Sequence, residues 1–166
     1  APSDLESIVR LAHAKGIYVL LDECYAYLNF TGACISGGSF TECKEHVLVL
    51  GSLSKTYAMT GWRAGYALGP KALISAMSKL QSQSTSNVST PVQYASIAAL
   101  TASQECISEM RADYIRLRDR VLDGFKGVPG LTCTVPEVAF YVYPNIKAFL
   151  GKGGLNSAAD VASKLL

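Results

Sequence analysis

Five side chains within the first 63 residues could act together on one ligand. They are Asp22, Tyr25, Ser52, Lys55 and Arg63. Asp22 ends the apolar run Ile17-Tyr18-Val19-Leu20-Leu21, and Tyr25 follows three residues later. Ser52 comes just after a second run, Val47-Leu48-Val49-Leu50-Gly51, with Lys55 three residues on and Arg63 eight beyond that. A neutral lysine amine attacks carbonyl carbons. A carboxylate holds a nearby nitrogen cationic, and a guanidinium beside a hydroxyl suits a phosphate. Taken singly, each residue has a plainer use: Asp22 caps a strand end, Lys55 and Arg63 are surface charges, and Tyr25 packs. Their joint spacing is what points to a site. In open α/β sheets, ligands collect at the carboxyl ends of parallel strands. Two such strands ending at Asp22 and Ser52 put an acid, a hydroxyl and an amine on one rim.

The elements that would carry this rim are legible in outline. Ser3-Asp4-Leu5-Glu6, directly after Ala1-Pro2, has the pattern of a capping box. Leu5, Ile8, Val9 and Ala12 recur at helical spacing, and Gly16 closes that helix. Two continuous apolar runs follow, each suited to a strand buried on both faces, with a Gly/Ser/Thr-rich loop over 31–41 between them. A third strand is expected over 64–68. Helices are expected over 71–81, from Pro91 onward with Thr90 as cap, and over 104–125. Gly127-Val128-Pro129-Gly130 marks a boundary. Short strands over 131–135 and 140–143, and a helix opened by Ser157, begin a smaller unit. The expected architecture is α/β: a mostly parallel sheet with flanking helices over 1–126, then the start of a small α+β domain over 127–166.

Ser52-Leu53-Ser54-Lys55-Thr56-Tyr57-Ala58-Met59-Thr60-Gly61-Trp62-Arg63-Ala64-Gly65-Tyr66 closely resembles the lysine motif of class I pyridoxal-phosphate aminotransferases. Asp22-Glu23-Cys24-Tyr25 is similar to the family's upstream Asp-x-x-Tyr motif, at a fitting interval. Pro136-Glu137-Val138-Ala139-Phe140-Tyr141-Val142-Tyr143-Pro144-Asn145 looks like a segment of its small domain, with Val138 where the family has Gly. If that position needs a positive φ, valine is strained there.

The resemblance implies a role for each candidate. Lys55 forms the Schiff base with pyridoxal 5'-phosphate and, once displaced by substrate, shuttles the proton. Asp22 keeps the pyridine nitrogen protonated. Tyr25 donates to the phenolic oxygen, and Ser52 and Arg63 contact the phosphate. Two unit charges ~4 Å apart at an effective dielectric of ~20 interact by about 4 kcal/mol. That is about a thousandfold in a protonation equilibrium, before desolvation subtracts some. The implied reaction moves an amino group from an amino acid, aspartate or aromatic in type, to a 2-oxo acid, in a homodimer. The same resemblance places a substrate-carboxylate arginine, an asparagine and a glycine-rich phosphate turn outside this chain. The chain is therefore expected to be a piece of a longer protein and inactive alone.

Composition excludes other classes. Hydrophobic residues make up 49% and charged residues 17%, which is globular rather than disordered. The net charge is +2 with no basic run, so neither a nucleic-acid nor a membrane surface is expected. No apolar stretch is long enough to span a bilayer. Five cysteines without a CxxC pair read as free thiols of a reducing compartment, cytoplasmic or organellar. His13 and His46 match no metal spacing. Gly37-Gly38 reads as a turn, Met59 and Trp62 as packing residues, and Cys24 as a buried small side chain. Three rivals remain. Ser52-x-x-Lys55 matches the serine acyl-enzyme pattern of penicillin-binding proteins, although its companion motifs are missing. The others are a carbon–sulfur lyase on the same scaffold and an aminotransferase-like sensor domain of a transcription regulator.

Overall fold

The computed structural model describes residues 2–32 and 34–166; the expectations that touch Ala1 and Ala33 lie outside them. Helix α1 spans Pro2–Ala14. It begins one residue before the expected cap, because proline lacks the N–H that a first helical residue cannot use and has a helical φ already set. The Ser3/Glu6 box is therefore not formed. The Ser3 carbonyl accepts from the Ser7 hydroxyl, and Glu6 pairs with Arg10 at 2.8 Å. The other end follows expectation. Gly16 takes φ +64°, and the N–H groups of Gly16 and Ile17 close onto the carbonyls of His13 and Ala12. That bond pair is a Schellman cap.

Strands β1 (Val19–Asp22), β2 (Val47–Ser52) and β3 (Gly65–Leu68) form one sheet in that order. β1 and β2 run parallel, with Asp22 opposite Leu50, while β3 runs antiparallel to β2, with Ser52 opposite Gly65. The expected mostly parallel sheet is thus one parallel and one antiparallel pair. The cause is the β2–β3 link. Its one α-helix, α2 (Leu53–Thr56), advances the chain only ~6 Å, against the ~20 Å length of a six-residue strand, so the chain re-enters at the end it left. Gly51 and Gly65 permit this close return. A Cβ on Gly65 would lie 2.8 Å from the Gly51 carbonyl oxygen, and one on Gly51 would lie 2.1 Å from the Tyr66 ring.

Only β2 is buried on both faces: Val47, Leu48 and Val49 are all nearly inaccessible. β1 alternates instead, and Leu20 is 61% exposed, against the expectation of burial on both sides. It is an edge strand of this sheet, and the cluster of Val9, Cys43, Val47 and Val49, joined by Leu5, Leu21 and Phe40, packs on its other face.

After β3 come α3 (Lys71–Ser84), α4 (Thr90–Thr101) and α5 (Glu105–Lys126). Ser89 rather than Thr90 precedes the first turn of α4, with Pro91 inside it. Leu53, Met59 and Ala64 form a second core with Val88, Val92, Ala95 and Ala99, which fixes the Lys55 segment against α4. Among the described residues the small sheet is β4 (Thr132–Cys133) paired antiparallel with β5 (Pro144–Asn145). The strand expected over 140–143 does not form. Residues 137–139 are tied instead to the segment after β1: Phe30 N–H donates to Glu137 O at 2.8 Å, Ala139 N–H donates to Leu28 O at 3.0 Å, and Asn29 bridges Val138. The left-handed residue there is Ala139, at φ +65°, so Val138 escapes the strain anticipated for it. Helix α6 (Ala158–Leu165) opens on a true capping box between Ser157 and Asp160.

Glu23 organises the loop after β1. Its Oε1 accepts from the Ser36 hydroxyl at 3.0 Å and from Gly37 N–H at 2.8 Å. Hydrogen bonds to a charged group are worth about 1.5–3 kcal/mol. Glu23→Ala is expected to lower stability by about 2 kcal/mol in urea unfolding, and Glu23→Gln, which keeps a neutral acceptor, by about half as much.

Candidate functional site

The rim at the carboxyl ends of β1 and β2 holds three of the five expected residues. Asp22 is the last residue of β1, Ser52 is the last of β2, and Lys55 sits in the single turn of α2 that follows. Asp22 Oδ1 accepts from Cys24 N–H at 3.2 Å. The Cys24 thiol is pushed up from its ordinary range by burial and then by Asp22, while the Lys55 ammonium pulls it partly back. One thiol thus feels both the acid and the amine. No ion pair joins Asp22 to Lys55 among the described residues. Cys24 is half-buried rather than buried, and its raised thiol is a poor nucleophile.

Lys55 is half-buried, with Nζ 5.4 Å from the centre of the Phe140 ring. An ammonium over an aromatic face is attracted without being neutralised. Tyr25 meets the same segment: its ring lies 5.6 Å edge-on from both Phe140 and Tyr141. Its hydroxyl stands 2.5 Å from the Tyr141 hydroxyl. That hydrogen bond, then burial, pushes Tyr25 up to about 12. A raised acid is stabilised in its neutral form, so this contribution is intact below the ordinary tyrosine range and fades as pH climbs through the folded value. Tyr141→Phe is therefore expected to bring Tyr25 back toward 10, read as an earlier tyrosinate absorbance step in alkaline titration.

Phe140 and Tyr141 belong to the small-domain motif, yet sequence reasoning assigns them no role. The only signal is an aromatic pair after Pro136-x-x-Ala139, and nothing in its spacing says which residues it will cover. Their placement depends on the bonds of residues 137–139 to 28–30 and on Arg118. Arg118 stacks on Phe30 at 5.3 Å and donates to Pro136 O at 3.1 Å.

Ser52 and Arg63 are arranged differently from the lysine and the acid. The Ser52 hydroxyl oxygen accepts from Ser54 N–H at 3.1 Å and so caps α2. Among the described residues it makes no hydrogen bond to Lys55, which removes the nucleophile–base contact that a serine acyl-enzyme needs. Arg63 is exposed, takes the left-handed φ of +56°, and donates from Nη1 to Thr60 O at 2.8 Å. Arg63 lines a cleft of ≈ 740 Å³ with Ala58, Thr60, Gln81, Asn87 and Ser89. Ala58, at φ +54°, is the second non-glycine residue held left-handed in this motif. Such conformations cost of order 1–3 kcal/mol and persist where the surroundings impose them. No hydrogen bond or ion pair links Arg63 to Asp22, Ser52 or Lys55 among the described residues. A second cleft, of ≈ 760 Å³ and lined by Glu23, Tyr57, Tyr66, Gln104 and Arg111 among others, contains none of the five.

The amine and carboxylate on this rim, with the Tyr25 phenol that meets the same Phe140 ring, are chemically suited to an aldehyde-bearing, cationic aromatic ring. Among the described residues, no carboxylate pairs with the half-buried amine to neutralise it. The comparisons with known proteins agree in kind. The model of the family described as aminotransferase class I and II matches residues 1–166. An aspartate aminotransferase of Geobacillus stearothermophilus is 35% identical over 98% of this chain and 42% of its own length. An asparagine–oxo-acid transaminase of Streptococcus mutans is 38% identical over the same shares. Among solved structures, a Thermus thermophilus aspartate aminotransferase mutant complexed with tryptophan superposes with a TM-score of 0.83 at 37% identity, over 90% of this chain and 39% of that one. The chain thus spans about two fifths of the length of these relatives. Matched from its first residue to its last, the chain belongs to the class I and II aminotransferases.

Proposed function

We propose that this chain carries the cofactor-anchoring part of a pyridoxal-phosphate-dependent aminotransferase. The observation that carries the reading is the Lys55 amine, half-buried and without an ion-pair partner among the described residues, on one rim with the Asp22 carboxylate. Lys55 is the amine that would hold the cofactor covalently, Asp22 the carboxylate that would keep its ring nitrogen protonated, and Tyr25 the hydroxyl facing its phenolic oxygen. Ser52 and Arg63 would take its phosphate; for Ser52 this means sharing an oxygen that now caps α2. When bound, the cofactor supplies an electron-withdrawing ring that eases loss of the substrate's α-proton. Lys55, once released, would take up that proton at Nζ as a general base and give it back as a general acid. Phe140 stands over the amine, and Tyr141 holds the Tyr25 hydroxyl beside it.

The substrates proposed are an amino acid of aspartate or aromatic type and a 2-oxo acid. Relatives named aspartate aminotransferase, asparagine–oxo-acid transaminase and aspartate/prephenate aminotransferase support this choice. The rest follows the family reading. Residues 1–126 belong to a larger cofactor domain whose sheet is mostly parallel, residues 127–166 begin a small domain, and the working unit is a homodimer. The five free cysteines fit a cytoplasmic or similarly reducing compartment. No helix among the described residues is long and apolar enough to cross a membrane.

The test uses a full-length enzyme carrying this chain, loaded with cofactor, and aspartate with no added 2-oxo acid. One equivalent of oxaloacetate per site and no free ammonia is the expected outcome. Ammonia released in step with the oxo acid from a β-substituted substrate such as cysteine identifies the lyase alternative.

A further inference from the structure

His13 and His46 are separated by thirty-three positions, yet their Nδ1 atoms lie 3.1 Å apart. His13 sits in the last turn of α1, and His46 ends the 3-10 turn leading into β2. The rings meet at 5.0 Å with their planes 73° apart, and Tyr18 lies 5.5 Å from His46. The other nitrogen of His46 is turned toward the tight turn after α1, 4.0 Å from where a Cβ on Gly16 would stand.

We propose that the two Nδ1 atoms form a binding site for a late first-row divalent cation such as Ni²⁺ or Zn²⁺. Metal–imidazole bonds of ~2.0–2.1 Å spanning this gap subtend about 100° at the ion, between the octahedral and tetrahedral angles. Imidazole nitrogen is the donor these ions favour. Both rings must carry their proton on Nε2, so that both Nδ1 lone pairs converge. The platform is rigid. Val9 of α1, Cys43 of the 3-10 turn and Val47 of β2 pack in one core, and Arg10 reaches from α1 to Glu42 at 2.6 Å. Folding therefore meets the cost of bringing the ligands together before the ion arrives. Among the described residues no third histidine, cysteine or carboxylate joins them, so water completes the shell and the affinity is moderate. The site lies on the α1 side of the sheet and involves none of the residues of the Lys55 rim.

The chain has only two histidines, which makes the test direct. Paramagnetic Ni²⁺ is titrated into the 166-residue protein, and the histidine C–H proton signals are followed by NMR. Both sets should broaden together by one equivalent, and the thermal midpoint should rise relative to chelator-treated protein. His13→Gln and His46→Gln, checked for folding by circular dichroism, should each weaken Ni²⁺ binding by at least about tenfold in equilibrium dialysis. Broadening of one histidine alone overturns the proposal. So does equal binding by the variants, which would place the ion on cysteines or scattered carboxylates. Parent binding weaker than ~1 mM also overturns it, leaving the contact a hydrogen bond only.

Discussion

Lys55→Ala protein, mixed with pyridoxal phosphate and then gel-filtered, is expected to emerge without cofactor and without the visible absorption band of the parent. The amine is the only atom of residue 55 that can bond an aldehyde carbon, and alanine ends at Cβ. The loss has two parts. Covalent anchoring disappears entirely. The proton transfer assigned to the same nitrogen loses a general acid–base contribution of about 10²–10⁴ in rate. Added small amines should restore some of the second part and none of the first. Lys55→Arg separates charge from chemistry: it keeps a cation near Phe140, so the fold is preserved, but guanidinium stays protonated and cannot attack. Both variants should therefore lose the band. A parent-like band in either places the reactive amine elsewhere.

Asp22→Asn should leave the cofactor attached and slow the chemistry. Asparagine matches aspartate in size, and its carbonyl oxygen can still accept from Cys24 N–H, now 3.2 Å from Asp22 Oδ1. The negative charge is what goes. A carboxylate ~4 Å from a ring nitrogen, at an effective dielectric of ~20, contributes about 4 kcal/mol toward keeping that nitrogen protonated. Some of this is offset by desolvation, so the expected fall in the rate of amino-acid deprotonation is about a hundredfold to a thousandfold. The spectrum should also become sensitive to pH in a range where the parent is flat. Asp22→Glu, with its longer side chain, should recover only part of the rate. A rate within about threefold of the parent in Asp22→Asn would remove the acid from the mechanism.

The rim is legible in the sequence because its residues stand where apolar runs stop. Leu21-Asp22 and Gly51-Ser52 mark strand ends by composition alone, and the parallel pairing, with Asp22 opposite Leu50, then brings both to one edge of the sheet. The features that are not legible depend on contacts between distant parts of the chain. The direction of β3 follows from the shortness of α2, which no hydrophobic period reveals. Phe140 and Tyr141 reach Lys55 and Tyr25 because residues 137–139 hydrogen-bond to 28–30 and Ala139 turns left-handed. Motif position points to Val138 as the strained residue, but the backbone places the strain one residue later. The Ser3-x-x-Glu6 pattern misleads for a local reason: Pro2 starts the helix more readily than Ser3 caps it. The His13–His46 contact gives no signal in sequence, because it pairs a helix end with a strand entry thirty-three positions away.

Arg63 marks where the motif and the geometry diverge most. Its guanidinium is bonded to Thr60 O, and the residue lines a cleft with the end of α3 and the start of α4, while Lys55 stands over Phe140. A phosphate held by Ser52 and Arg63 would have to bridge those two directions. The left-handed backbone at Arg63 holds its side chain there against an intrinsic cost, which is the physical support for a binding role.

The central assignment is best tested by reducing the loaded protein with borohydride, digesting it and mapping the added pyridoxyl mass. One modified lysine is expected, Lys55, at close to one per chain. Label spread over Lys15, Lys44, Lys71 and other surface amines, or absent from the peptide that holds Lys55, would contradict the account.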